Sequence, residues 1–337
     1  MDNGQQLNEE NKIKYCDLFA GTGAFSLALK EYNYDCIFAN DMVVPSKVLY
    51  EANFGKLTLG DLNNIDVTEI PKHNILCGGF PCQPFSIAGE MRGFDDKRSN
   101  VFWKILEIMK YCQPDIVILE NVKNLVSHDK GNTFKTILKE IKSIDYTVKY
   151  SILDTCKVTN IPQHRERIYI ICFRNEELAE KFNFDDIETN NNTDSIVDYL
   201  ETNIDNKYYY TPKLKVYDIV KEGITKPITD NVLYQFRRYY VRENKSAVCP
   251  TLTANMGTGG HNVPLLRDKE GIRKLTPREC FNLQGFPKDY VLDEGLSDCA
   301  LYKLAGNAVS VPVVQLLVSK LSKIIEPSAT HHDNSSI

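Results

Sequence analysis

Residues 13–41 read IKYCDLFAGTGAFSLALKEYNYDCIFAND and decide the fold class that the sequence predicts. The apolar stretch at 13–20 predicts a strand, and a Gly-Thr-Gly turn at 21–23 separates it from a helix predicted at 24–30. A second strand is predicted at 35–39. A strand, a helix and a strand in this order indicate a crossover between parallel strands of an α/β sheet.

The same alternation continues through the first half of the chain. Further strands are predicted at 74–80, 115–119, 146–153 and 167–173, and further helices at 46–53, 100–111 and 133–144. This rhythm predicts a parallel, doubly wound sheet with helices on both faces.

The rhythm stops near residue 175, and the chain from there to about 298 reads as irregular. A final helix is predicted at 312–325, and its apolar stripe fits packing against the sheet. That stripe consists of Val313, Val314, Leu317 and Leu321. We therefore expect residues 1–175 and 299–337 to form one domain, and residues 176–298 to form a second, smaller domain.

The composition excludes several classes of protein. The 337 residues contain no apolar run of about 18, so a membrane span is not expected. The polar, acidic N-terminal segment does not fit a secretory signal. The ten cysteines form no CxxC pair, which argues against a disulfide framework or a zinc cluster and favours a reducing, cytoplasmic location. No metal site is predicted.

The net charge of −5 conceals a local asymmetry. Residues 174–206 hold ten acidic and two basic side chains, whereas residues 207–250 hold nine basic and four acidic ones. The basic part contains the run YQFRRYYVR at 234–242, which favours a surface for a polyanion. A solvated face is the alternative for any charge run, and the acidic part reads as a flexible boundary.

Polar and reactive side chains follow successive predicted strands. The turn at 21–23 follows the first strand, and Asp41, 20 residues beyond Gly21, follows the second. Later apolar stretches are followed by Asp61, Cys82 and Glu120. Parallel strands of an open α/β sheet place their carboxyl ends at one edge, so these groups are expected together. The turn and Asp41 predict an adenosine-containing cofactor, with a structural turn as the alternative, and Ser26 in place of a third glycine argues against a dinucleotide.

Cys82 lies in the stretch NILCGGFPCQPFS at 74–86, just past the end of a predicted buried strand. Its loop position favours a nucleophile, although a free cysteine is otherwise more often a small core residue. Glu120 ends the apolar stretch DIVILENV, so it is either a satisfied structural group or an acid with a raised pKa. A thiol nucleophile and a protonated carboxyl suit attack on an electron-poor ring whose nitrogen needs a proton.

Six segments occur along the chain in this order: DLFAGTGAF, GGFPCQPFS, ENV, QHRERIY, TPRECFNLQGFP and GNAVSVPV. Together they resemble the motifs of the C5-cytosine-specific DNA methyltransferases of bacterial or phage restriction-modification type, from about Lys14 to Ile325. The resemblance implies a Rossmann-like S-adenosylmethionine-dependent methyltransferase sheet. It makes residues 1–175 and 299–337 the catalytic and cofactor-binding domain, and 176–298 an irregular target-recognition domain with a hinge. The implied activity is sequence-specific methylation of C5 of cytosine in double-stranded DNA.

The resemblance implies catalytic roles for Cys82, Glu120, Arg165 and Arg167. Cys82 is expected to add to C6 of a cytosine flipped out of the duplex, and Glu120 to hold N3 and the exocyclic amino group. Arg167 is expected to reach cytosine O2, and a surface ion pair is the alternative for both arginines. The methyl group then moves to C5, and elimination of Cys82 restores the aromatic ring.

The same resemblance implies two sets of binding residues. S-adenosyl-L-methionine is expected to contact Phe19, Gly21, Gly23, Asp41, Met42, Asp61, Pro81 and Asn307. Met42 departs from the aromatic residue that relatives often carry there. DNA contacts are expected from Gln83, Ser86, Arg98, Arg237, Arg238, Tyr239, Arg242, Thr251 and Leu252. For Tyr239 and Tyr240, a place in the core of the small domain is the alternative.

Three other functions remain open from the sequence. They are an RNA cytosine-5 methyltransferase, a catalytically idle DNA-binding regulator of the same fold, and a cysteine hydrolase, although none of the six histidines lies in a motif that would support the last. The DNA enzyme is expected to be a monomer. A cognate restriction endonuclease is a candidate partner in the same system, without a stable complex.

Overall fold

A computed structural model describes residues 12–81, 101–190, 192–258 and 262–325. Its main element is a seven-stranded sheet in the order β3-β2-β1-β4-β5-β7-β6. The strands are β1 Lys14–Leu18, β2 Asp35–Asp41, β3 Thr58–Leu59, β4 Ile75–Gly79, β5 Ile116–Val122, β6 Thr147–Asp154 and β7 Glu166–Phe173. The predicted α/β class is confirmed.

Helices cover both faces of this sheet. On one face lie α1 Ala24–Lys30 and α10 Val311–Ile325, and on the other lie α3 Val101–Cys112 and α4 Asn132–Lys142. Other α-helices of the described residues are α2 Val44–Asn53, α5 Thr155–Val158, α6 Glu176–Lys181, α7 Tyr217–Gly223, α8 Pro277–Leu283 and α9 Asp298–Asn307. The helices predicted in the first half of the chain are confirmed to within two residues at each end.

Strand β5 shows why both layers of helices are needed. Ile116 and Ile118 belong to the core shared with α1 and α10, whereas Val117 and Leu119 belong to the core shared with α3 and α4. Successive side chains of a strand alternate between the two faces of a sheet. A continuous apolar run such as IVIL is therefore fully buried only when both faces are covered, and all four side chains are buried here.

The predicted parallel arrangement holds for β1 to β5 and fails at one side of the sheet. Strand β7 lies between β5 and β6 and runs antiparallel to both. The connection from β6 to β7 spans only residues 155–165, whereas a parallel return requires a crossover of about a dozen residues or more. The chain therefore reverses at this point, and the prediction of a wholly parallel sheet is wrong here.

The predicted final helix is confirmed as α10, and its predicted apolar stripe is buried. By length and composition alone, residues 298–325 are apolar enough to cross a membrane, with a mean hydropathy of 1.5. They form two helices, α9 and α10, that are separated at 308–310, and 56% of their most apolar 18-residue stretch is buried inside the protein. Core helices pass the same test, so this stretch is weak evidence for a span.

A four-stranded antiparallel sheet lies in the part of the chain that reads as irregular. Its order is β11-β10-β8-β9, with β8 Tyr234–Arg237, β9 Tyr240–Glu243, β10 Leu265–Arg267 and β11 Ile272–Lys274. A small core of its own joins these strands to α7, through Val220, Ile224, Tyr234, Leu265 and Ile272. Strands of three or four residues are too short to give a periodic signal, which is why this sheet was not predicted.

The residues that follow the small sheet pack against the large one. Phe281 of α8 and Tyr302 of α9 belong to the same core as α1 and α10. Tyr290 Oη donates a hydrogen bond of 2.7 Å to the carbonyl oxygen of Thr22. The division between residues 1–175 with 299–337 and residues 176–298 stays a prediction.

Asp17 is a fully buried carboxylate in β1. Its Oδ2 accepts a hydrogen bond of 2.8 Å from Ser26 Oγ, which in turn lies 2.7 Å from Tyr50 Oη. Its Oδ1 has no hydrogen-bond partner among the described residues. Burial raises the pKa of Asp17 to about 7, although the hydrogen bonds with Ser26 lower it.

Asp17→Asn is expected to change how stability depends on pH. The ordinary pKa of an aspartate is near 4, so between about pH 4 and pH 7 the native state holds a proton that the unfolded state has lost. The wild-type protein therefore loses stability from this group as the pH rises through that window, whereas a neutral asparagine does not. Urea unfolding at pH 5 and pH 8 should show the variant gaining roughly 1–3 kcal/mol relative to the wild type at the higher pH.

Asp115→Asn is the matched control for this comparison. Asp115 lies outside β1 and pairs with Arg174 at 2.9 Å near the surface. If the free energies of unfolding of Asp17→Asn and the wild type differ by the same amount at pH 5 and pH 8, the raised pKa of Asp17 is contradicted.

Candidate functional site

The carboxyl ends of the central parallel strands meet at one edge of the large sheet. The register pairs Leu18 with Asn40 and with Gly78, and it pairs Gly79 with Glu120. The turn after β1, the end of β2, the segment after β4 and the end of β5 therefore follow one another along this edge. Open α/β sheets hold their ligands at such an edge.

The turn after β1 has a backbone that favours glycine. Phe19, Gly21 and Gly23 have positive φ values of 54°, 54° and 72°. A Cβ on Gly23 would lie 2.2 Å from the Phe54 ring, so packing as well as φ requires a residue without a side chain. The Gly21 N–H donates a hydrogen bond of 2.9 Å to Asp41 Oδ2, which fixes the turn to the end of β2.

Asp41 is buried at the end of β2 and accepts one backbone N–H on each oxygen, from Gly21 on Oδ2 and from Val43 on Oδ1. Burial raises the pKa of Asp41, and these N–H groups oppose the rise. The Ser46 side chain and the Met42 N–H also donate hydrogen bonds to this carboxylate. Beside Asp41, Met42 is 66% exposed. Leu59, which pairs with Asp41 between β2 and β3, is 42% exposed. A carboxylate next to exposed apolar side chains fits the ribose and the ring of an adenosine-containing cofactor.

The other residues predicted for the cofactor follow strand ends or end a helix. Asp61 follows β3, and its Oδ1 accepts the Asn63 N–H at 3.0 Å, which begins a short 3-10 helix. Pro81 follows β4 and is exposed, and Asn307 is exposed at the end of α9. Their contacts with a cofactor stay predictions.

Glu120 and Arg167 form an ion pair near the end of β5. The distance from Arg167 Nε to Glu120 Oε1 is 3.1 Å, and both side chains are largely buried. Burial raises the pKa of Glu120, and the positive charges of Arg167 and Arg165 oppose this rise without cancelling it. A Cβ on Gly79 would lie 3.5 Å from Glu120 Oε2 and 3.3 Å from Val309, so glycine leaves space beside the carboxyl.

The segment that leads to Cys82 is held by the neighbouring strand. Asn121 is buried, and its Nδ2 donates a hydrogen bond of 2.9 Å to the carbonyl oxygen of Phe80. Its Oδ1 accepts the Val122 N–H at 2.8 Å. The described residues reach Pro81, and four predicted site residues lie outside them: Cys82, Gln83, Ser86 and Arg98. Their roles stay predictions.

Arg165 joins three points of the backbone. Its side chain is buried, and its guanidinium donates hydrogen bonds to the carbonyl oxygens of Leu252 at 2.8 Å, Gly306 at 3.2 Å and Ala308 at 2.7 Å. Burial and the charge of Arg167 lower the pKa of Arg165 to about 9, so it stays charged at neutral pH. These bonds occupy the guanidinium with the protein's own backbone, which is the arrangement of a positioning residue.

The predicted DNA contacts Thr251 and Leu252 have different surroundings. Leu252 is fully buried in the main core, and its N–H donates to Gln163 Oε1 at 3.3 Å. Its side chain is therefore not available to DNA, and that prediction is wrong. Thr251 is partly exposed, and its Oγ1 donates a hydrogen bond of 2.7 Å to the carbonyl oxygen of His164.

Two buried glutamines that were not predicted connect the same segments. Gln163 Nε2 donates to the carbonyl oxygen of Leu283 at 2.7 Å, and it lies 3.3 Å from Gln284 Oε1. Gln284 Nε2 donates to the carbonyl oxygen of Ala305 at 2.7 Å. Both glutamines lie in the quoted motifs QHRERIY and TPRECFNLQGFP, which was the available signal.

The predicted recognition residues of 234–242 lie on the hairpin formed by β8 and β9 and are exposed: Arg237, Arg238, Tyr239 and Arg242. Tyr239 and Tyr240 are 78% and 58% exposed, so the alternative that they belong to the core of the small domain is wrong. A groove of about 460 Å³ separates this hairpin from residues 250–255. Arg237 and Arg242 line one wall of the groove, and Thr251 lies on the other.

One cluster of potential metal ligands occurs among the described residues. Ligand atoms of Asp154, Cys156 and His164 lie within 4.8 Å of one another. His164 Nδ1 lies 2.6 Å from Asp154 Oδ2, and Asp154 Oδ1 accepts the Arg165 N–H at 2.8 Å. Hydrogen bonds within the chain account for this cluster, so it gives no ground for assigning a metal.

The site and the fold together define a class of enzyme. A glycine turn and a carboxylate fit an adenosine-containing cofactor, a buried acid and a cation lie beside them, and a basic groove follows. The fold is shared with the methyltransferase Dnmt2 of S. pombe, whose structure matches with a TM-score of 0.72 at 20% identity, over 94% of this chain and 100% of that one. This likeness shows the fold, so the class is an α/β protein with a ligand site at the carboxyl ends of its parallel strands.

The family follows from the sequence match over almost the whole chain. A model of the C-5 cytosine-specific DNA methylase family matches residues 13–323, and the chain belongs to this family. It is a sequence-specific DNA (cytosine-5) methyltransferase, which requires a methyl donor and acts on DNA. The alternatives of an RNA enzyme, an idle regulator and a hydrolase are thereby set aside.

Two curated relatives illustrate how complete the match is. The chain is 46% identical over 315 residues to the Type II methyltransferase M.Bsp6I of Bacillus sp. (strain RFL6), covering 92% of this chain and 99% of that protein. It is 36% identical over 319 residues to the Type II methyltransferase M1.ScrFI of Lactococcus lactis subsp. cremoris, covering 94% of this chain and 80% of that protein.

Gly306→Ala is expected to destabilise the contact between α9 and the segment that Arg165 holds. A Cβ on Gly306 would lie 2.1 Å from the carbonyl carbon of Thr253, so one of the two backbones must move. Overpacking of this kind costs about 1–3 kcal/mol. Thermal unfolding of the variant should show a lower Tm than that of the wild type.

Gly295→Ala is the matched control, because its Cβ would meet the end of the flexible Asp293 side chain at 2.9 Å rather than backbone. A Tm for Gly306→Ala that equals the Tm of the wild type would contradict the close approach at Gly306.

Proposed function

We propose that this DNA cytosine-5 methyltransferase uses Cys82 as its nucleophile, Glu120 and Arg167 to hold the target cytosine, and S-adenosylmethionine as its methyl donor. The observation that carries the proposal is the buried pair of Glu120 and Arg167 beside the strand end that leads to Cys82. Asn121 fixes the backbone one residue before Pro81, so the Cys82 loop begins from a defined position.

The proposed reaction begins with addition of the Cys82 thiolate to C6 of a cytosine flipped out of the duplex. The new S–C6 bond displaces the C5–C6 π electrons into the ring, and the protonated Glu120 carboxyl donates its proton towards N3. The Arg167 guanidinium donates a hydrogen bond to O2, where negative charge also develops. The ring is thereby converted to an enamine whose C5 is nucleophilic.

C5 then takes the methyl group and becomes tetrahedral. S-adenosylmethionine, when bound, supplies an electrophilic methyl group and leaves as S-adenosylhomocysteine. A base removes the proton from C5, the C5–H electron pair forms the C5–C6 double bond, and the S–C6 bond breaks with its electron pair on sulfur. Glu120 recovers its proton from N3, and Cys82 leaves as a thiolate.

The raised pKa of Glu120 supports its proposed role. A carboxyl that keeps its proton nearer neutral pH can donate to N3, whereas an ordinary glutamate would be ionised. Arg167 opposes the rise, so the carboxyl remains able to give up the proton when the ring becomes basic. The same arginine fixes the carboxyl's orientation through the contact at 3.1 Å.

We assign Arg165 a positioning role instead of the predicted catalytic one. Its guanidinium is bonded to backbone carbonyls of residues 252, 306 and 308, so it acts by holding the elements around the site. For the cofactor, Asp41 would take the ribose hydroxyls, and Met42 would offer its exposed side chain to the ring. Phe19, Gly21, Gly23, Asp61, Pro81 and Asn307 would complete the pocket.

The proposed DNA surface comprises the hairpin, the groove beside it and the loop after Cys82. Its predicted contacts are Gln83, Ser86, Arg98, Arg237, Arg238, Tyr239, Arg242 and Thr251. Residues 176–298 would form the target-recognition domain, and 1–175 with 299–337 the catalytic domain. We propose that the enzyme acts as a cytoplasmic monomer on double-stranded DNA. A cognate restriction endonuclease would act separately in the same restriction-modification system.

Cys82→Ala is expected to bind DNA and to transfer no methyl group. The wild type should form a covalent complex with duplex DNA that contains 5-fluorocytosine, because fluorine at C5 cannot leave as a proton and elimination is blocked. Denaturing gels detect this complex, and bisulphite sequencing measures methylation of ordinary DNA.

Cys299→Ala, at an exposed cysteine of α9, is the matched control and should retain both activities. Methylation by Cys82→Ala at the rate of the wild type would overturn the proposed mechanism.

Glu120→Gln is expected to lower kcat by about 100-fold or more, because an amide cannot deliver the proton that N3 needs. Its affinity for DNA should change less than kcat, since glutamine keeps the shape of the side chain and can still hydrogen-bond with the target cytosine. Single-turnover kinetics measure the chemical step, and fluorescence anisotropy measures DNA binding. Glu107→Gln, at an exposed glutamate of α3, is the control. An unchanged kcat for Glu120→Gln would remove Glu120 from the reaction.

A further inference from the structure

The hairpin of β8 and β9 has one apolar and one polar face. The apolar face packs on the small core through Tyr234, Phe236 and Val241. Side chains alternate along each strand, so the intervening residues share the opposite face. They are Gln235, Arg237, Tyr240 and Arg242. The fold therefore presents two arginines and a glutamine together on the side that faces away from the core.

Gln235 connects the two arginines. Its Oε1 accepts a hydrogen bond of 2.9 Å from Arg237 Nη2 and a second one from Arg242 Nη2, and Arg242 lies directly across the hairpin. A carbonyl oxygen has two lone pairs, so the two guanidinium groups occupy both. Each guanidinium keeps its other N–H donors for a ligand.

This trio lines the 460 Å³ groove between the hairpin and residues 250–255. The rest of the lining is rich in amide and hydroxyl groups, including those of Asn244, Ser246, Thr251 and Asn255. None of the described residues that line the groove is acidic. The groove therefore selects a ligand that offers hydrogen-bond acceptors, and its charge is positive although the whole chain carries a net charge of −5.

Hydrogen bonds connect one side of the groove to the residues next to Glu120 and Arg167. Thr251 on its wall is bonded to the carbonyl oxygen of His164, and the next residue, Leu252, is bonded to Arg165. Arg167, the partner of Glu120, lies two residues further on. A ligand in the groove would thus lie a fixed distance from the target cytosine, which is what sequence-specific methylation requires.

We propose that Arg237 and Arg242, held as a pair by Gln235, read the major-groove edge of guanine in the recognised DNA sequence. The inference rests on the proposed contact of this hairpin with DNA. Guanine presents O6 and N7 as acceptors in the major groove, and a guanidinium matches both with parallel N–H donors. Gln235 is a positioning residue, because it orients both guanidinium groups before DNA arrives and reduces the side-chain entropy lost on binding.

Orientation distinguishes this pair from arginines that contact phosphate. Phosphate contacts fix the register of a protein on DNA and carry no sequence information directly. A guanidinium anchored by an amide inside a groove has a defined direction, as base reading requires. Arg238, by contrast, lies at the exposed turn of the hairpin and is not part of the groove lining.

The first step of the test identifies the guanines that are read. The wild-type enzyme methylates a random-sequence duplex library with S-adenosylmethionine, and bisulphite sequencing defines the recognised sequence. Duplexes of that sequence then carry 7-deazaguanine, which lacks the N7 acceptor, at one guanine at a time. We expect kcat/KM to fall about 5- to 150-fold at one or more guanines other than the partner of the methylated cytosine.

The second step assigns this effect to the trio. Arg237→Lys and Arg242→Lys keep the charge and lose the paired donors, so at least one of them should abolish the sensitivity to 7-deazaguanine at a guanine position. Gln235→Leu should raise KM on the recognised sequence. It should also lower the ratio of kcat/KM on that sequence to kcat/KM on sequences in which the guanine is replaced. Gln235→Glu keeps an oxygen acceptor for both arginines and should retain the preference.

Controls separate this role from a general loss of structure. Gln315→Leu, on α10, and Arg174→Lys, which pairs with Asp115, change the same residue types away from the hairpin and should behave as the wild type. Wild-type kcat/KM unaffected by every 7-deazaguanine would overturn the proposal. Equal losses for the lysine variants on recognised and altered sequences would also overturn it, because they indicate phosphate contacts. Absence of any DNA methylation by the wild type would instead overturn the function itself.

Discussion

The buried guanidinium of Arg165 requires separate parts of the backbone to meet at one place. A charge removed from water costs several kcal/mol unless hydrogen bonds replace its hydration. Arg165 obtains those bonds from the backbone carbonyls of residues 252, 306 and 308, which lie in the segment 250–255 and at the end of α9. These segments are far apart in the sequence, and each must be in place for the charge to be satisfied. The residue therefore couples correct folding of residues 250–255 to the geometry around Glu120 and Arg167.

The reversal of β7 explains how two arginines reach that edge. In a parallel sheet, strand beginnings lie at the side opposite to the ligand site, so residues 165–167 would be remote from Glu120. Because β7 runs antiparallel to β5, its first residues lie beside the last residues of β5, and Val122 pairs with Arg167. The short connection after β6 thus determines that Arg167 contacts Glu120. A feature of topology, rather than a local motif, brings the acid and the cation together.

A feature could be predicted from the sequence when the residues that determine it are close together in the chain. Most strands and helices up to residue 173 were predictable because each has its own apolar periodicity, and the glycine turn with Asp41 has a local chemical signature. The short elements β3 and α5, of two and four residues, were missed for lack of such a pattern. The burial of Leu252 was not predictable, since it depends on Gln163 and Arg165, about ninety residues earlier in the chain. The hairpin of β8 and β9 was missed because four-residue strands lack periodicity, although its arginines were recognised by residue type. Contacts between segments that are far apart in the chain leave no local pattern in the sequence.

The proposed role of the hairpin separates the stability of the fold from the DNA sequence that is recognised. Its inward residues are fixed by the small core, whereas its outward residues contact groove and solvent. Changes at Gln235, Arg237 and Arg242 would therefore change which DNA sequence binds in the groove without removing apolar contacts of the small core. Thr251 and Leu252 are constrained differently, because their hydrogen bonds lead to His164 and Arg165, which lie next to Arg167 in the chain. The hairpin side of the groove can therefore change its residues without breaking these bonds, whereas the side with Thr251 cannot. We expect differences in recognised sequence to arise mainly from changes on the hairpin.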